Sequence, residues 1–131
     1  MTNITASLEN YLETILTIQD EKQCVKAIEI SKRMEVSKAS VTEALRALKS
    51  KNLINYLPYE DITMTPLGEE KARKIAIKHS VLNNFFTDIL GVDSVSASID
   101  ACKIEHVISD TVFDKLSAFL DTYQNKSTKV K

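Results

Sequence analysis

A thiol, a carboxylate and an imidazole follow one another near the C-terminal end of the chain, at Cys102, Glu105 and His106. Their spacing of i, i+3 and i+4 places all three on one face of an α-helix, opposite apolar residues such as Ile104 and Ile108. A set of soft and hard ligands of this kind can bind a divalent transition metal, and it has fewer thiolates than a structural zinc site. The pattern therefore indicates a candidate metal site.

Two other interpretations of this segment exist. In a structural one, Cys102 and His106 extend the apolar stripe of Val95 and Ile99 against a partner helix, and Glu105 lies in solvent. In a catalytic one, the three side chains are a nucleophile, a base and an orienting group. Catalysis also requires a cleft and an oxyanion site, which three residues on one helix face without a Gly-rich loop do not provide. We predict that the protein is not an enzyme.

Composition sets the broad class. The chain has 131 residues, and its 17 Lys and Arg against 18 Asp and Glu give a net charge of -1, so any affinity for nucleic acid must come from local clusters of basic residues. Its two cysteines, Cys24 and Cys102, form no C-x-x-C motif and favour a reducing compartment. The sequence shows neither a signal peptide nor an apolar run of bilayer-spanning length. We expect a cytoplasmic protein with no membrane partner.

Two short helices upstream are predicted at residues 26–34 and, after the cap Ser37, up to about residue 51. Only Glu35 and Val36 join them, which indicates a helix-turn-helix. The second helix buries one apolar side, so its other side presents Ala39, Thr42, Glu43, Arg46 and Ser50.

A short, polar start suits a recognition helix, because its first residues approach base edges in the major groove. The predicted DNA-binding residues are Ser37, Lys38, Ala39, Ser40, Thr42 and Arg46. The alternative is a solvated face on which Glu43 and Arg46 form an ordinary i,i+3 ion pair.

The remaining elements complete a winged helix followed by more helices. Ser7 is the predicted cap of a first helix ending near Asp20, and residues 53–57 and 61–64 read as two strands with a turn at 58–60. Thr65-Pro66 opens a long helix that Gly91 ends near residue 90, and helices follow at 94–109 and 110–123, before a polar, basic tail at 124–131 that contains Lys126, Lys129 and Lys131.

The predicted fold is therefore mainly α. A winged helix-turn-helix DNA-binding domain with a small β-hairpin wing occupies residues 1–70, and a helical metal-binding and dimerisation domain occupies residues 71–131.

This order of elements, together with several motifs, resembles the diphtheria-toxin-repressor and manganese-transport-regulator family of metal-dependent repressors in its short, two-domain form. The motifs are Asn10-x-x-Glu13 in the first helix, His79 in the long helix, Cys102-x-x-Glu105-His106 and the wing-to-helix passage Thr63-Met64-Thr65-Pro66-Leu67-Gly68. The resemblance implies a homodimer that binds an operator in double-stranded DNA and controls metal homeostasis genes. It also implies a site for Mn(II) or Fe(II) formed by Asn10, Glu13, His79, Cys102, Glu105 and His106.

The sequence departs from the family at two positions. Asn10 stands where the family usually has Asp or Met, and Asn83 stands where some members have a carboxylate. Oxygen ligands suit manganese whereas the Cys102 thiolate favours softer metals such as iron(II), so the choice between the two metals stays open. A winged-helix regulator that answers to a non-metal ligand or to oxidation of Cys102 is the alternative, and an interaction module that has lost DNA binding is a third possibility.

Overall fold

The computed structural model describes residues 4–57 and 60–130, with the side chains described up to residue 124. The chain forms two compact units that divide between Ile75 and Ala76, inside the fourth helix. None of the helices in these described segments is both long and apolar enough to cross a membrane.

The first unit begins with helices α1 (Ala6–Lys22), α2 (Ala27–Met34) and α3 (Lys38–Ser50). The hydroxyl of Thr5, not the predicted Ser7, caps α1 by accepting a hydrogen bond from the Leu8 N–H at 3.2 Å. Both residue types are good caps, and the chain uses the earlier one. The helix also passes the predicted end near Asp20, since the left-handed residue that ends it is Gln23, with φ 63°.

The turn between α2 and α3 agrees with its prediction. Glu35 adopts a left-handed conformation with φ 55° and ends α2, and Ser37 caps α3 by accepting from the Ser40 N–H at 3.1 Å. These two local devices build the predicted helix-turn-helix.

A small antiparallel hairpin follows, in which β1 (Ile54–Asn55) pairs with β2 (Thr63–Met64). An isolated bridge between Val25 and Ile62 ties the second strand to the segment before α2. Both strands are shorter than predicted, and residues 58 and 59 of the predicted turn lie outside the described residues.

Side chains from all of these elements form the core of the first unit. Its largest fully buried members are Leu12, Ile15, Ile18, Ile30, Leu45, Leu48, Leu53, Val25 and Val41. The apolar periodicity of the three helices therefore converges on one cluster beneath the hairpin.

Helix α4 (Pro66–Asn84) begins in the first unit and continues into the second. The predicted Thr65 cap is confirmed, because its Oγ1 accepts from the Gly68 N–H at 3.0 Å. A π-helical turn (Phe85–Ile89) extends the helix, and Gly91 follows with φ 72°.

The second unit also contains α5 (Ser94–Ile104) and α6 (Asp110–Val130). The predicted helix at 94–109 is too long: α5 ends at Ile104, and Ser109 Oγ accepts from the Val112 N–H at 3.2 Å at the start of α6. Residues 105–109 therefore connect the two helices, with Ser109 as the cap of α6. The backbone of α6 also continues past the predicted end at residue 123, while the side chains of Lys126 and Lys129 and all of Lys131 lie outside the described residues.

Candidate metal centre and DNA-binding surface

The end of α5 brings three predicted metal ligands together. Cys102 lies in the last turn of α5, and Glu105 and His106 lie in the turn that follows, not on the helix as predicted. One ligand atom from each of the three side chains lies within 4.8 Å of the other two. Ligand atoms that share an ion at about 2.0–2.3 Å are at most about 4.6 Å apart. Small side-chain movements would therefore bring all three onto one ion.

His79 reaches the same carboxylate from α4. Its Nδ1 lies 3.4 Å from Glu105 Oε1, and His106 Nε2 lies 3.8 Å from that oxygen. The side chain of Glu105 is fully buried, whereas that of His79 is 30% exposed. One buried carboxylate thus has an imidazole on two sides, which is an arrangement that a divalent cation suits.

The donor chemistry in this cluster fits a transition metal. His79 Nδ1 is buried and makes no hydrogen bond within the described residues, so a nitrogen suited to ligation points into the protein. The competing structural interpretation was wrong on one point, because Glu105 is 2% exposed and does not lie in solvent. Val95 and Ile99 are 68% and 53% exposed, so they are not buried within this chain.

The other two predicted ligands belong to the first unit. Asn10 and Glu13 are half-buried and lie three residues apart on α1, so their side chains leave the same face of the helix. The main-chain carbonyl of Asn10 accepts a hydrogen bond from Thr14 Oγ1 at 2.9 Å. Their assignment to a metal stays a prediction.

The exposed face of α3 agrees with the sequence pattern. Of the residues predicted to face outward, Ala39, Glu43, Arg46 and Ser50 are exposed and Thr42 is half-buried. Ser37 Oγ and Ser40 Oγ are 3.0 Å apart, which places two hydroxyls at the start of the helix. The alternative ion pair between Glu43 and Arg46 does not form among the side chains that the structure describes.

Some of the cations elsewhere in the first unit are paired, although Lys32, Lys71 and Lys74 make no ion pair within the described residues. Ion pairs engage Lys22, Lys26, Arg33 and Arg73. Four cations on α3 and at its C-cap make no ion pair within residues 4–57 and 60–124. They are Lys38, Arg46, Lys49 and Lys51. Unpaired cations beside a polar helix start are typical of a surface that binds phosphates.

Cys24 sits at the base of the hairpin. Its Sγ donates to Asp61 Oδ2 at 3.1 Å, and Lys26 Nζ donates to Asp61 Oδ1 at 2.9 Å. The hydrogen bond to Asp61 raises the pKa of the Cys24 thiol, and the same contacts, led by that with Lys26, lower the pKa of Asp61. Cys24 is therefore held as a thiol.

A helix-turn-helix with a hairpin wing, followed along the chain by a unit that clusters thiol, carboxylate and imidazole, defines a metal-responsive DNA-binding regulator. Comparison with known proteins agrees. The model of the iron-dependent repressor N-terminal DNA-binding domain matches residues 3–62, and that of the iron-dependent repressor metal-binding and dimerisation domain matches residues 65–128. The chain belongs to the iron-dependent repressor family.

Individual relatives support the assignment. The chain is 36% identical over 121 residues to an uncharacterised HTH-type transcriptional regulator of Methanocaldococcus jannaschii, covering 92% of this chain and 97% of that one. It is 29% identical over 126 residues to the HTH-type transcriptional regulator MntR of Shouchella clausii, covering 96% of this chain and 87% of that one.

A solved manganese-dependent transcriptional repressor in complex with manganese has a similar fold. The comparison gives a TM-score of 0.79 at 25% sequence identity. It covers 87% of this chain and 52% of that structure, so this chain spans about half of the solved one.

These findings give the class of the protein. It is a metal-dependent, DNA-binding transcriptional repressor with a divalent metal as cofactor, and the family consists of regulators, not enzymes. The resemblance seen in the sequence is confirmed, and nothing in the comparisons favours a regulator that answers to a non-metal ligand.

Proposed function

We propose that the protein acts in the cytoplasm as a homodimeric repressor of metal homeostasis genes, binding its operator when Mn(II) or Fe(II) is bound. The observation that carries this proposal is the cluster of Cys102, Glu105 and His106, with His79 beside the same carboxylate. A buried carboxylate beside two imidazoles and a thiol offers the mixed oxygen, nitrogen and sulfur donors that a divalent transition metal binds.

Six side chains, contributed by both units, are the proposed metal ligands. In the second unit Cys102, Glu105 and His106 form the centre of the site, and His79 contributes from α4. From the first unit we assign Asn10 and Glu13, because their i,i+3 spacing matches the family motif. When bound, the divalent ion supplies the positive charge that holds these donors together.

The proposed division of labour places DNA binding in residues 1–70 and metal binding and dimerisation in residues 71–131. Ser37, Lys38, Ala39, Ser40, Thr42 and Arg46 are assigned to the operator. The hydroxyls and Lys38 suit phosphate, and Arg46 suits guanine or phosphate. We expect the protein to have one state that binds the operator and one that does not. If metal binds the operator-binding state more favourably by about 1–3 kcal/mol, it tightens operator binding about 5–150-fold.

Exposed aromatic residues of the second unit support a homodimer. Phe119 stacks near Tyr123 with ring centroids 6.2 Å apart, and it meets Phe85 edge-on at 6.4 Å. Phe119 and Tyr123 are still 52% and 44% exposed. Aromatic anchors of this kind are common at the centre of interfaces.

Titration calorimetry of metal-free protein with Mn(II) and Fe(II) under anaerobic conditions tests the site. Cys102→Ala and His106→Ala are expected to lose at least about tenfold in metal affinity, since each removes a ligand. Cys24→Ala is the matched control, because Cys24 contacts Asp61 and lies outside the cluster. All variants should keep the wild-type circular dichroism spectrum.

Operator binding completes the test. A duplex selected by the wild-type protein from a random library is titrated with and without metal, using fluorescence anisotropy at two salt concentrations. The proposal fails if Cys102→Ala and His106→Ala still tighten on the duplex as much as the wild type when metal is added.

A further inference from the structure

A cleft of about 340 Å³ lies within the first unit, between the first turns of α1 and the exposed face of α3. Thr5, Ser7 and Tyr11 line one wall, and Ser40, Glu43 and Ala47 line the other. The cleft is open, and the α3 wall belongs to the face that we assign to DNA.

Glu43 is the anionic side chain of this cleft. It is exposed, and within residues 4–57 and 60–124 it makes neither a hydrogen bond nor an ion pair, although Arg46 is one turn away. In the first unit Glu21, Glu29 and Asp61 pair with cations, whereas Glu35, Glu60 and Glu70 are exposed acids that, like Glu43, make no ion pair within the described residues. Of these exposed acids without an ion pair, Glu43 is the one on α3. An unpaired carboxylate on a DNA-facing helix repels phosphates, so it weakens binding unless it meets a donor on a base.

We propose that Glu43 determines operator sequence by accepting a hydrogen bond from the N4 amino group of a cytosine in the major groove. The inference rests on the proposed function, because it requires α3 to enter the groove. It adds Glu43 to the DNA-reading residues, where the sequence alone indicates an ordinary surface acid.

The chemistry of the base edges selects cytosine. A carboxylate only accepts hydrogen bonds. Guanine presents two acceptors in the major groove, thymine an acceptor and a methyl group, and adenine a donor with the N7 acceptor beside it. Cytosine presents the N4 amino donor and no acceptor of its own in the major groove, so it is the base that best matches the carboxylate of Glu43.

Arg46 makes the reading directional. It lies three residues after Glu43, or about 4.5 Å further along the helix axis, and its guanidinium only donates. Guanine, with its two acceptors, is the complementary base. An acceptor followed by a donor along α3 therefore favours a cytosine and a guanine at nearby positions of the half-site.

The test is selection of duplexes from a random library by the full-length protein with Mn(II), followed by titration of the enriched sequences. The wild type should enrich a cytosine at one position of each half-site and prefer it over adenine about 5–150-fold. Glu43→Gln should enrich adenine at that position, because glutamine pairs with adenine N6 and N7. Glu43→Ala should lose the preference and gain no other.

Glu70→Gln is the matched control. Glu70 is exposed on α4, and its substitution removes the same charge away from the cleft, so the selected sequence should stay the same. Because Glu43 is also exposed, both Glu43 variants should unfold at the same temperature as the wild type. Unchanged cytosine enrichment in Glu43→Gln and Glu43→Ala overturns the inference and leaves the proposed function intact. Wild-type protein that binds no duplex in a salt-dependent way overturns both.

Discussion

The two units bury their apolar side chains to very different extents. Among the described residues, 16 of the 20 buried apolar side chains belong to the first unit, from Tyr11 to Ile75, and four belong to the second. The exposed large apolar side chains reverse this ratio, with three in the first unit and eight in the second. The first unit therefore buries most of its large apolar side chains in its own core, whereas the second unit exposes apolar surface of the kind that binds a partner.

This difference matches the two tasks of the family. A DNA-reading unit must hold α3 rigidly, and a shared core beneath the helix does so. A dimerisation unit must leave apolar side chains available, since burial against a second copy supplies its stability. The contrast can be tested from both sides.

The largest effect is expected from the core of the first unit. Leu45 lies on the buried side of α3 and is 0% exposed. Leu45→Ala should lower the free energy of unfolding by about 2–5 kcal/mol, because it removes buried carbon and leaves a cavity. Urea unfolding followed by circular dichroism measures the change. An unaltered midpoint would show that the core is not shared in this way.

The next effect compares the two glycines. A Cβ on Gly68 would overlap the carbonyl oxygen of Leu53, which also accepts a hydrogen bond from the Thr65 N–H at 3.1 Å. Gly68→Ala should therefore lower the free energy of unfolding by about 3 kcal/mol or more. This loss outweighs the roughly 1 kcal/mol by which Ala normally stabilises a helix relative to Gly.

Gly91 in the second unit is the control for that substitution. It has φ 72° but no atom within 4 Å of an added Cβ, so Gly91→Ala adds only backbone strain of about 1–2 kcal/mol. The urea midpoints of unfolding of the two variants measure this difference in stability. Equal losses would mean that Gly68 is not required for the close approach of α4 to the Leu53 carbonyl.

Several helix ends follow from local sequence signals. The Ser37 cap, the Thr65-Pro66 start of α4 and the stop at Gly91 each depend on a residue type with a specific backbone role. The errors lie at the ends of elements. Thr5 replaces Ser7 as the cap of α1, α5 ends at Ile104 before its predicted end, and both strands are shorter than predicted.

The candidate site depended less on local pattern. The Cys102-x-x-Glu105-His106 spacing identified three neighbours that do lie together, despite the wrong helix end. The approach of His79 to Glu105 arises from packing between α4 and the turn after α5, which no periodicity encodes. The family resemblance supplied His79. The unpaired state of Glu43 became visible only with the side chains in place.

An intermediate effect is expected at the exposed aromatic residues. Phe119→Ala should raise the dissociation constant of the dimer at least about tenfold, because truncating an interface aromatic typically costs more than about 1.4 kcal/mol. Sedimentation equilibrium at several concentrations measures it. Leu67→Ala is the control, since Leu67 is 42% exposed but belongs to the first unit. If both variants dimerise like the wild type, the face around Phe119 is not the interface.

The smallest effect distinguishes the two cysteines, one in each unit. Cys102 is proposed as a metal ligand, whereas Asp61 raises the pKa of Cys24 through a hydrogen bond and keeps its thiol protonated. Asp61→Asn removes the negative charge and leaves Lys26 nearby, so the pKa of Cys24 should fall and its thiolate fraction at a given pH should rise.

Iodoacetamide alkylation between pH 7.5 and 9.5 (roughly the range around the ordinary thiol pKa) measures that change. Both proteins carry Cys102→Ala, so that Cys24 alone reacts. Since the thiolate is the reacting species, alkylation of the Asp61→Asn protein should be a few-fold faster at the lower pH, and the two rates should converge as the pH rises through both pKa values. Equal rates throughout would mean that Asp61 does not raise the pKa of Cys24 and does not protect its thiol from alkylation.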